Sequence, residues 1–248
     1  MTYKLLTFNI RYDNRFDGKN RFTNRLPIIF ETLNELDPDI ICFQEVTRRM
    51  FEKLEPLLQK YNYTGEYRDN TKAGEANFIL TKKDKFELLD SKTLWLSPTP
   101  NVPGSKYPGD QSILPRVITK ARYKTRDNKI INIFNTHFDY LGKNSRLNSA
   151  NQIVEYIKKI TDEPLILTGD FNDYPDSEPI KIISNHLKDL TINIPVSFHQ
   201  FNESKTGVKI DYIFINQLVH SSEGEIVEYK DKTKFLSDHH PILINFSI

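Results

Sequence analysis

Residues 164–172 read PLILTGDFN, three apolar residues that stop abruptly in a turn carrying Asp170 and Asn172. Leu165, Ile166 and Leu167 form a run too short for a helix. Closed by Gly169, it predicts a buried strand whose end delivers two polar side chains. Strand ends of this kind are where α/β folds place their sites. The carboxylate and the carboxamide stand two positions apart, so an extended backbone sends both to one side, toward one phosphate group or one metal-bound water. Asp and Asn are also ordinary turn formers after a strand, so the pair needs support from the rest of the chain.

That support comes from other strands that end in the same way. Upstream, KIINIFNTHF ends at Asn135, Thr136 and His137, and a helix is expected from about Asn144 to Ile160 with Leu147, Ala150, Val154 and Ile157 inward. Near the start, YKLLTFNI alternates into a strand ending at Asn9, and residues 39–44 form another, apolar in its middle, with Glu45 at its end. Between them Asn24 is expected to cap a helix with Pro27 in its first turn. Leu26, Ile29, Phe30, Leu33 and Leu36 then recur at helical spacing before Asp37 and Pro38 stop it. A second amphipathic helix is expected after Glu45 through about Lys60, with Met50, Leu54, Leu57 and Leu58 as its inner stripe.

From Tyr61 to Lys124 the pattern changes to short strands and turns: GEYRDNTKAGE, ANFILTKK, FELLDSKTLWLS, the long loop TPNVPGSKYPGDQSILP, and RVITKARY. This predicts antiparallel sheet rather than continued βαβ winding. Beyond PLILTGDFN come a short helical stretch near Pro179 to Asn185, a strand GVKIDYIFIN, another near EIVEYK, and the terminal SDHHPILINFSI. Helices interrupting antiparallel strands in two halves predict an α/β fold of two packed, mainly antiparallel sheets with helices outside.

No Pro/Gly/Ser-rich linker or low-complexity tract divides the 248 residues, which read as a single domain over 1–248. A hydrophobic content of 38% is enough to bury a core. The net charge of +1 supplies no overall field for capturing a polyanion, so a nucleic-acid substrate would need a local basic groove. Arg11, Arg15, Lys19, Arg21 and Arg25 beside Phe16 and Phe22 could form one wall of it, although Asp13 and Asp17 dilute the charge. Cys42, the single cysteine, lies in the apolar run DIICFQ, which excludes a disulfide framework and argues against a cysteine metal cluster. The stretch MTYKLLTFNI has no basic segment followed by an apolar one, and no run approaches the ~20 apolar residues of a membrane span. A cytoplasmic location and a monomer are the default expectations.

Collected together, the polar residues at strand ends are Asn9, Glu45, His137, Asp170, Asn172, Asp211, Asp238 and His239. Carboxylates and carboxamides without cysteine are hard oxygen ligands, the set that suits Mg²⁺ or Mn²⁺ rather than zinc. The two histidines add acid/base capacity. Taken singly, either histidine could be a satisfied core residue and Glu45 could merely begin a helix. Asp211, interrupting the apolar run IDYIFI, needs a partner, either His239 or the nearby Lys209 or a backbone amide.

In that order NTH, GDFN, IDYIF and SDHHP, preceded by TFNI and DIICFQEV, resemble the motif set of the endonuclease/exonuclease/phosphatase superfamily, from Asn9 to Pro241. The resemblance implies a four-layer α/β sandwich. It also implies a divalent-metal-dependent phosphoesterase that cleaves a phosphodiester or related ester by in-line attack of an activated water. By the same resemblance Glu45 with Asn9 would hold Mg²⁺, with Mn²⁺ as the alternative, and Asp238 would contact metal, water or phosphate. Asp170 and Asn172 match the water-activating and phosphate-orienting pair, His137 matches a family histidine, and Asp211 matches the aspartate that orients His239. Either Asp170 or the Asp211/His239 dyad would be the base. Arg116 and Arg146 resemble arginines near the substrate phosphate.

GDFNDYPDS is similar to the deadenylase and nocturnin branch, while TFNIRYDN, GE before a strand, and TLWLSPTP resemble a bacterial subgroup. Three substrate readings follow: a nucleic acid, a small phosphorylated compound, or a membrane lipid, for which Trp95 and Tyr107 would have to form an exposed aromatic hairpin. A non-catalytic binding module on the same scaffold is the remaining alternative, and the intact polar set argues against it.

Overall fold

The computed structural model describes residues 1–69, 71, 73–202 and 206–248. In chain order the strands are β1 (Tyr3–Asn9), β2 (Ile40–Gln44), β3 (Val46–Thr47), β4 (Tyr61–Thr64), β5 (Glu75–Ala76), β6 (Ile79–Lys82), β7 (Phe86–Trp95), β8 (Val117–Thr125), β9 (Ile130–His137), β10 (Leu165–Asp170), β11 (Lys188–Asp189), β12 (Asp211–Ile215), β13 (His220–Ser221), β14 (Glu225–Ile226) and β15 (Ile242–Ser247). The helices are α1 (Phe22–Leu36), α2 (Arg48–Leu54), α3 (Lys143–Ile157) and α4 (Glu178–Ser184).

One sheet runs β13-β15-β1-β2-β6-β4, with β14 also on β15; the other runs β11-β12-β10-β9-β8-β7, and β3 pairs with β5 in a small ribbon. Among the described residues only β1/β2 and β9/β10 are parallel, and each pair is joined by a helix, α1 in one sheet and α3 in the other. The remaining pairings are antiparallel, as the pattern after Tyr61 predicts. Asn70 and Lys72, in the turn-rich stretch GEYRDNTKAGE, lie outside the described residues.

Period-two alternation sorts the strand side chains into layers. Leu5, Ile40, Cys42 and Ile79 of the first sheet meet Ala121, Ile133, Ile166 and Ile213 of the second in a central core. On the outer faces Leu6, Phe8, Ile41 and Phe43 pack on Ile29, Leu33 and Met50, while Phe134, Leu165, Leu167 and Phe214 pack on Ala150, Ile153, Val154 and Ile180. The result is helix, sheet, sheet, helix, the four-layer α/β sandwich. Each buried aliphatic side chain contributes roughly 1.5–3 kcal/mol to holding the layers together.

Local details depart from the sequence reading. Helix α1 starts at Phe22, ahead of Asn24, whose side chain donates to the carbonyls of Gly18 and Lys19 instead of capping. Pro27 therefore sits inside the helix rather than in its first turn. The end is as expected, because Asp37 adopts a left-handed conformation with its N–H on the Leu33 carbonyl and Pro38 follows. Helix α2 stops at Leu54, and Pro56 shifts the chain into a 3-10 turn over Glu55–Gln59. No helix among the described residues is long and apolar enough to cross a membrane. Trp95 is buried with its indole N–H on the Arg68 carbonyl at 2.7 Å, so it is not an exposed hairpin tip.

Candidate active site

Alternation decides which side chains enter the gap between the sheets at one end. In β10, Ile166, Thr168 and Asp170 point inward; β9 and β12 run alongside in a register that places Asp170 beside His137 on one side and Asp211 on the other. Gly169 permits the close approach: its φ is 145°, and a Cβ there would lie 2.0 Å from the Thr136 carbonyl oxygen. Across the gap, Asn9 and Gln44 end the parallel strands β1 and β2 in register. Gln44 Nε2 donates to Asn135 Oδ1 at 2.7 Å, and Asn135 Nδ2 donates to the carbonyls of Phe43 and Phe78. This amide contact stitches the two sheets together beneath the site.

Backbone turns complete the assembly. Plain alternation would send Glu45 outward after the inward Gln44, but Glu45 takes φ 63° and its carboxylate returns to the gap. Arg11 (φ 58°) and Asn172 (φ 48°) are left-handed as well, so three of these uncommon conformations cluster here. Asn172 closes an Asx turn, its N–H donating to Asp170 Oδ1 at 2.9 Å.

The polar network is continuous. Asn9 Nδ2 donates to Glu45 Oε1 (3.1 Å) and to Asp170 Oδ2 (3.0 Å), while its Oδ1 accepts from the Arg11 N–H. Asn9 is thus a strut between two carboxylates. Glu45 Oε2 accepts the Tyr12 N–H at 2.9 Å. Asn172 Nδ2 donates to the Phe138 carbonyl, which can only accept, and the same nitrogen lies 3.0 Å from His137 Nε2. Nε2 of His137 is therefore an acceptor, and the ring is neutral with its proton on Nδ1. Burial, reinforced by Arg116 and Arg68, holds His137 well below the ordinary histidine range in agreement with that tautomer.

His239 is opposite in character. Its Nδ1 lies 2.8 Å from Asp211 Oδ2, and Ser197 Oγ donates to the same oxygen at 2.7 Å. Burial alone would depress this histidine, but the Asp211 charge and hydrogen bond overcome it and push its pKa up to about 10. Lys209, the alternative partner for Asp211, is engaged with Asp189 at 2.8 Å. Asp170 is fully enclosed, and burial followed by repulsion from Asp211 raises it to about 7. His239 Nε2 stands 3.8 Å from Asp170 Oδ2.

Asp238 is also pushed up, by burial and then by the neighbouring Glu45, and its Oδ2 lies 3.4 Å from Arg11 Nε. Carboxylates of Glu45 and Asp238 held together in a buried place, with a carboxamide beside them, have the donor chemistry of a divalent-cation site. Asp170, Asp211 and His239 also present ligand atoms within 4.8 Å of one another. In that group His239 Nδ1 and Asp211 Oδ2 are hydrogen-bonded to each other.

All eight polar residues expected from the strand ends converge here, each of them buried except the partly exposed Asn172. Of the two arginines, Arg116 is buried with Nε 3.4 Å from Asp139, and Arg146 is tied to Asp173 at 2.8 Å. Sequence reasoning passes over Ser197, Arg68 and Glu75. Ser197 sits in an irregular loop and carries no periodic signal. Glu75 follows Gly74 and opens the short strand β5, and Arg68 lies seven residues earlier, its Nη1 on Glu75 Oε2 at 2.7 Å.

A family model described as the endonuclease/exonuclease/phosphatase family matches residues 6–239. The chain belongs to this family. Its four-layer α/β sandwich is the fold of that family. An endonuclease/exonuclease/phosphatase from Bacteroides vulgatus superposes with TM-score 0.91 at 33% identity, covering 100% of this chain and 99% of that one. A mannosyl-6-phosphatase from Bacteroides thetaiotaomicron superposes with TM-score 0.89 at 26% identity, covering 99% and 100%. Among curated relatives, Protein angel of Drosophila melanogaster is 30% identical over 171 residues, 62% of this chain and 45% of its own length. The chain spans about a quarter to two thirds of the length of the curated relatives it matches.

Proposed function

We infer that residues 1–248 act as one catalytic domain that hydrolyses a small phosphate monoester, such as a sugar phosphate, with the help of a divalent ion. The observation that carries the choice of a small substrate is the fate of the arginine-rich loop after β1. A nucleic-acid groove needs free cations along it. Here Arg11 is engaged with Asp17 and Asp238, Arg21 is paired with Asp13 at 2.7 Å, and Arg25 is buried against the carbonyls of Ile10, Arg11, Asn20 and Leu236. Three of the five cations of the wall drawn from sequence are thus engaged within the fold, Arg15 stands exposed over the Phe16 ring, and the net charge is only +1. The match over full length to a mannosyl-6-phosphatase supports the same substrate class.

Glu45 and Asp238 are the residues suited to hold the ion, Mg²⁺ with Mn²⁺ as the alternative, which when bound supplies positive charge to the phosphoryl oxygens. Asp170, raised to about 7, is a base matched to neutral pH: it takes a proton from the water whose oxygen attacks phosphorus in line. The ester P–O bond breaks, the leaving alkoxide takes a proton from solvent, and Asp170 returns its own to solvent. His239, cationic at neutral pH, is unsuited to be that base. At 3.8 Å from Asp170 it is also too near to stand on the opposite side of phosphorus, so it serves the phosphoryl oxygens as a charged donor. Asn172 fixes the tautomer of neutral His137 beside the phosphate, and Arg116 adds positive charge next to His137, with Arg146 at the rim.

A substrate panel tests the reading: mannose 6-phosphate, p-nitrophenyl phosphate, bis(p-nitrophenyl) phosphate, single-stranded RNA and single-stranded DNA, each with Mg²⁺ and with Mn²⁺. Release of inorganic phosphate from the monoesters is expected. Cleavage of RNA or DNA without turnover of any monoester would overturn it in favour of a nuclease.

A further inference from the structure

Next to His137 lies a small, partly open crevice of about 10 Å³, lined by Arg68, Glu75, Asn77 and Arg116. That volume admits one water-sized group, such as a single phosphate oxygen. Both arginines lining it are buried, at 7% and 4% exposure. Each is anchored through one nitrogen, Arg68 Nη1 to Glu75 and Arg116 Nε to Asp139. Their remaining guanidinium N–H groups have no acceptor among the described residues.

The anchors are themselves rigid. Arg68 donates its N–H to the Glu75 carbonyl at 2.9 Å and accepts the Trp95 indole N–H on its own carbonyl, so its main chain is fixed from two sides. Asp139 is held by the N–H groups of Ser112, Leu141 and Gly142 and by the Ser112 hydroxyl. Prearranged guanidinium donors with spare N–H groups are the geometry that proteins use for phosphate oxygens. On its other side His137 lies 3.4 Å from Asp170, so the crevice opens within one phosphate group of the water-activating carboxylate.

We propose that Arg68, together with Arg116, binds the third non-bridging oxygen of a phosphate monoester in this crevice, and that Arg68 thereby sets the preference for monoesters over diesters. The proposal rests on the monoesterase reading above and assigns its selectivity to one residue. Glu75 is the positioning residue that aims Arg68.

The test compares wild type, Arg68→Met, Arg68→Lys and Glu75→Gln on p-nitrophenyl phosphate and bis(p-nitrophenyl) phosphate with Mg²⁺, and measures inhibition by inorganic phosphate. Loss of a charge-assisted hydrogen bond to phosphate predicts that Arg68→Met lowers monoester kcat/KM by roughly 10- to 150-fold. Diester kcat/KM is expected to change by less than about 3-fold, and phosphate inhibition to weaken in step with the monoester loss. Arg68→Lys should restore part of the phosphate inhibition, and Glu75→Gln should give a smaller loss confined to the monoester. Equal losses on both substrates, or unchanged phosphate inhibition, would overturn the assignment. Should Arg68→Met fail to fold, the monoester-to-diester ratio of Arg68→Lys and Glu75→Gln decides: a fall in both supports the assignment, and an unchanged ratio in both overturns it. A wild-type preference for the diester would instead overturn the functional reading itself.

Discussion

Replacing Asp211 by Asn keeps the shape of the side chain and removes its charge, which isolates what that charge does for His239. Both side chains are buried, and against the opposing effect of burial their 2.8 Å contact, with smaller help from Asp238 and Asp170, raises His239 from 6.5 to about 10. At about 1.36 kcal/mol per tenfold, that rise corresponds to roughly 5 kcal/mol of preference for the imidazolium. Without the Asp211 charge the largest raising influence is gone while burial still depresses the ring, so the pKa of His239 is expected to fall and its cationic share at pH 7.5 to shrink. Losing a buried cationic donor at the phosphoryl oxygens should then lower kcat/KM by ~100-fold or more.

Stability carries the same signature with a definite sign. A group whose pKa is raised on folding contributes stability that is complete below the unfolded value and is lost as pH rises through the folded one. The melting-temperature gap between wild type and Asp211→Asn should therefore be widest at or below pH 6.5 and narrow steadily toward pH 10. His239→Ala should match Asp211→Asn in turnover, and the double variant should be little worse than the poorer single. A gap that stays constant from pH 6 to pH 10, or kinetic losses that multiply, would refute the coupling.

Three further outcomes follow from the same geometry. Glu45→Gln should weaken Mg²⁺ binding by ~10-fold or more, read by titration calorimetry on the folded protein; unchanged affinity would remove Glu45 from the ion site. Arg25→Met should cost about 3 kcal/mol in urea unfolding, because it strands the buried carbonyls of Ile10 and Leu236, and a loss under about 1 kcal/mol would contradict that role. Gly169→Ala should destabilise by roughly 3 kcal/mol or more, since the new methyl would meet the Thr136 carbonyl oxygen, and a neutral effect in the same assay would show that β9 and β10 can separate freely.

What could be read from sequence was set by local physics. PLILTGDFN, TFNI and NTHF announce themselves because a buried strand must be apolar, so a polar residue at its end is conspicuous. The alternation of those strands also places Asn9, His137, Asp170 and Asp211 on one face. Boundaries at α1 were misread because Asn24 and Pro27 imitate a helix start, while the chain begins the helix at Phe22 and uses Asn24 to bind the preceding turn. In the basic loop the dilution by Asp13 and Asp17 was legible, whereas the approach of Arg11 to Asp238 joins residues far apart in the chain and appears only on folding. Ser197, Arg68 and Glu75 were passed over as site residues because only folding brings Ser197 to Asp211 and sets Arg68 and Glu75 around the crevice beside His137.

Release of inorganic phosphate from mannose 6-phosphate, followed for wild type and Asp170→Asn in Mg²⁺ buffer from pH 5 to pH 9, tests the central claim most directly. Wild-type kcat/KM should rise with pH through about 7 as Asp170 loses its proton, and Asp170→Asn should be slower by roughly 100-fold or more with that limb absent. A variant that retains the wild-type rate and the wild-type pH limb would contradict Asp170 as the base.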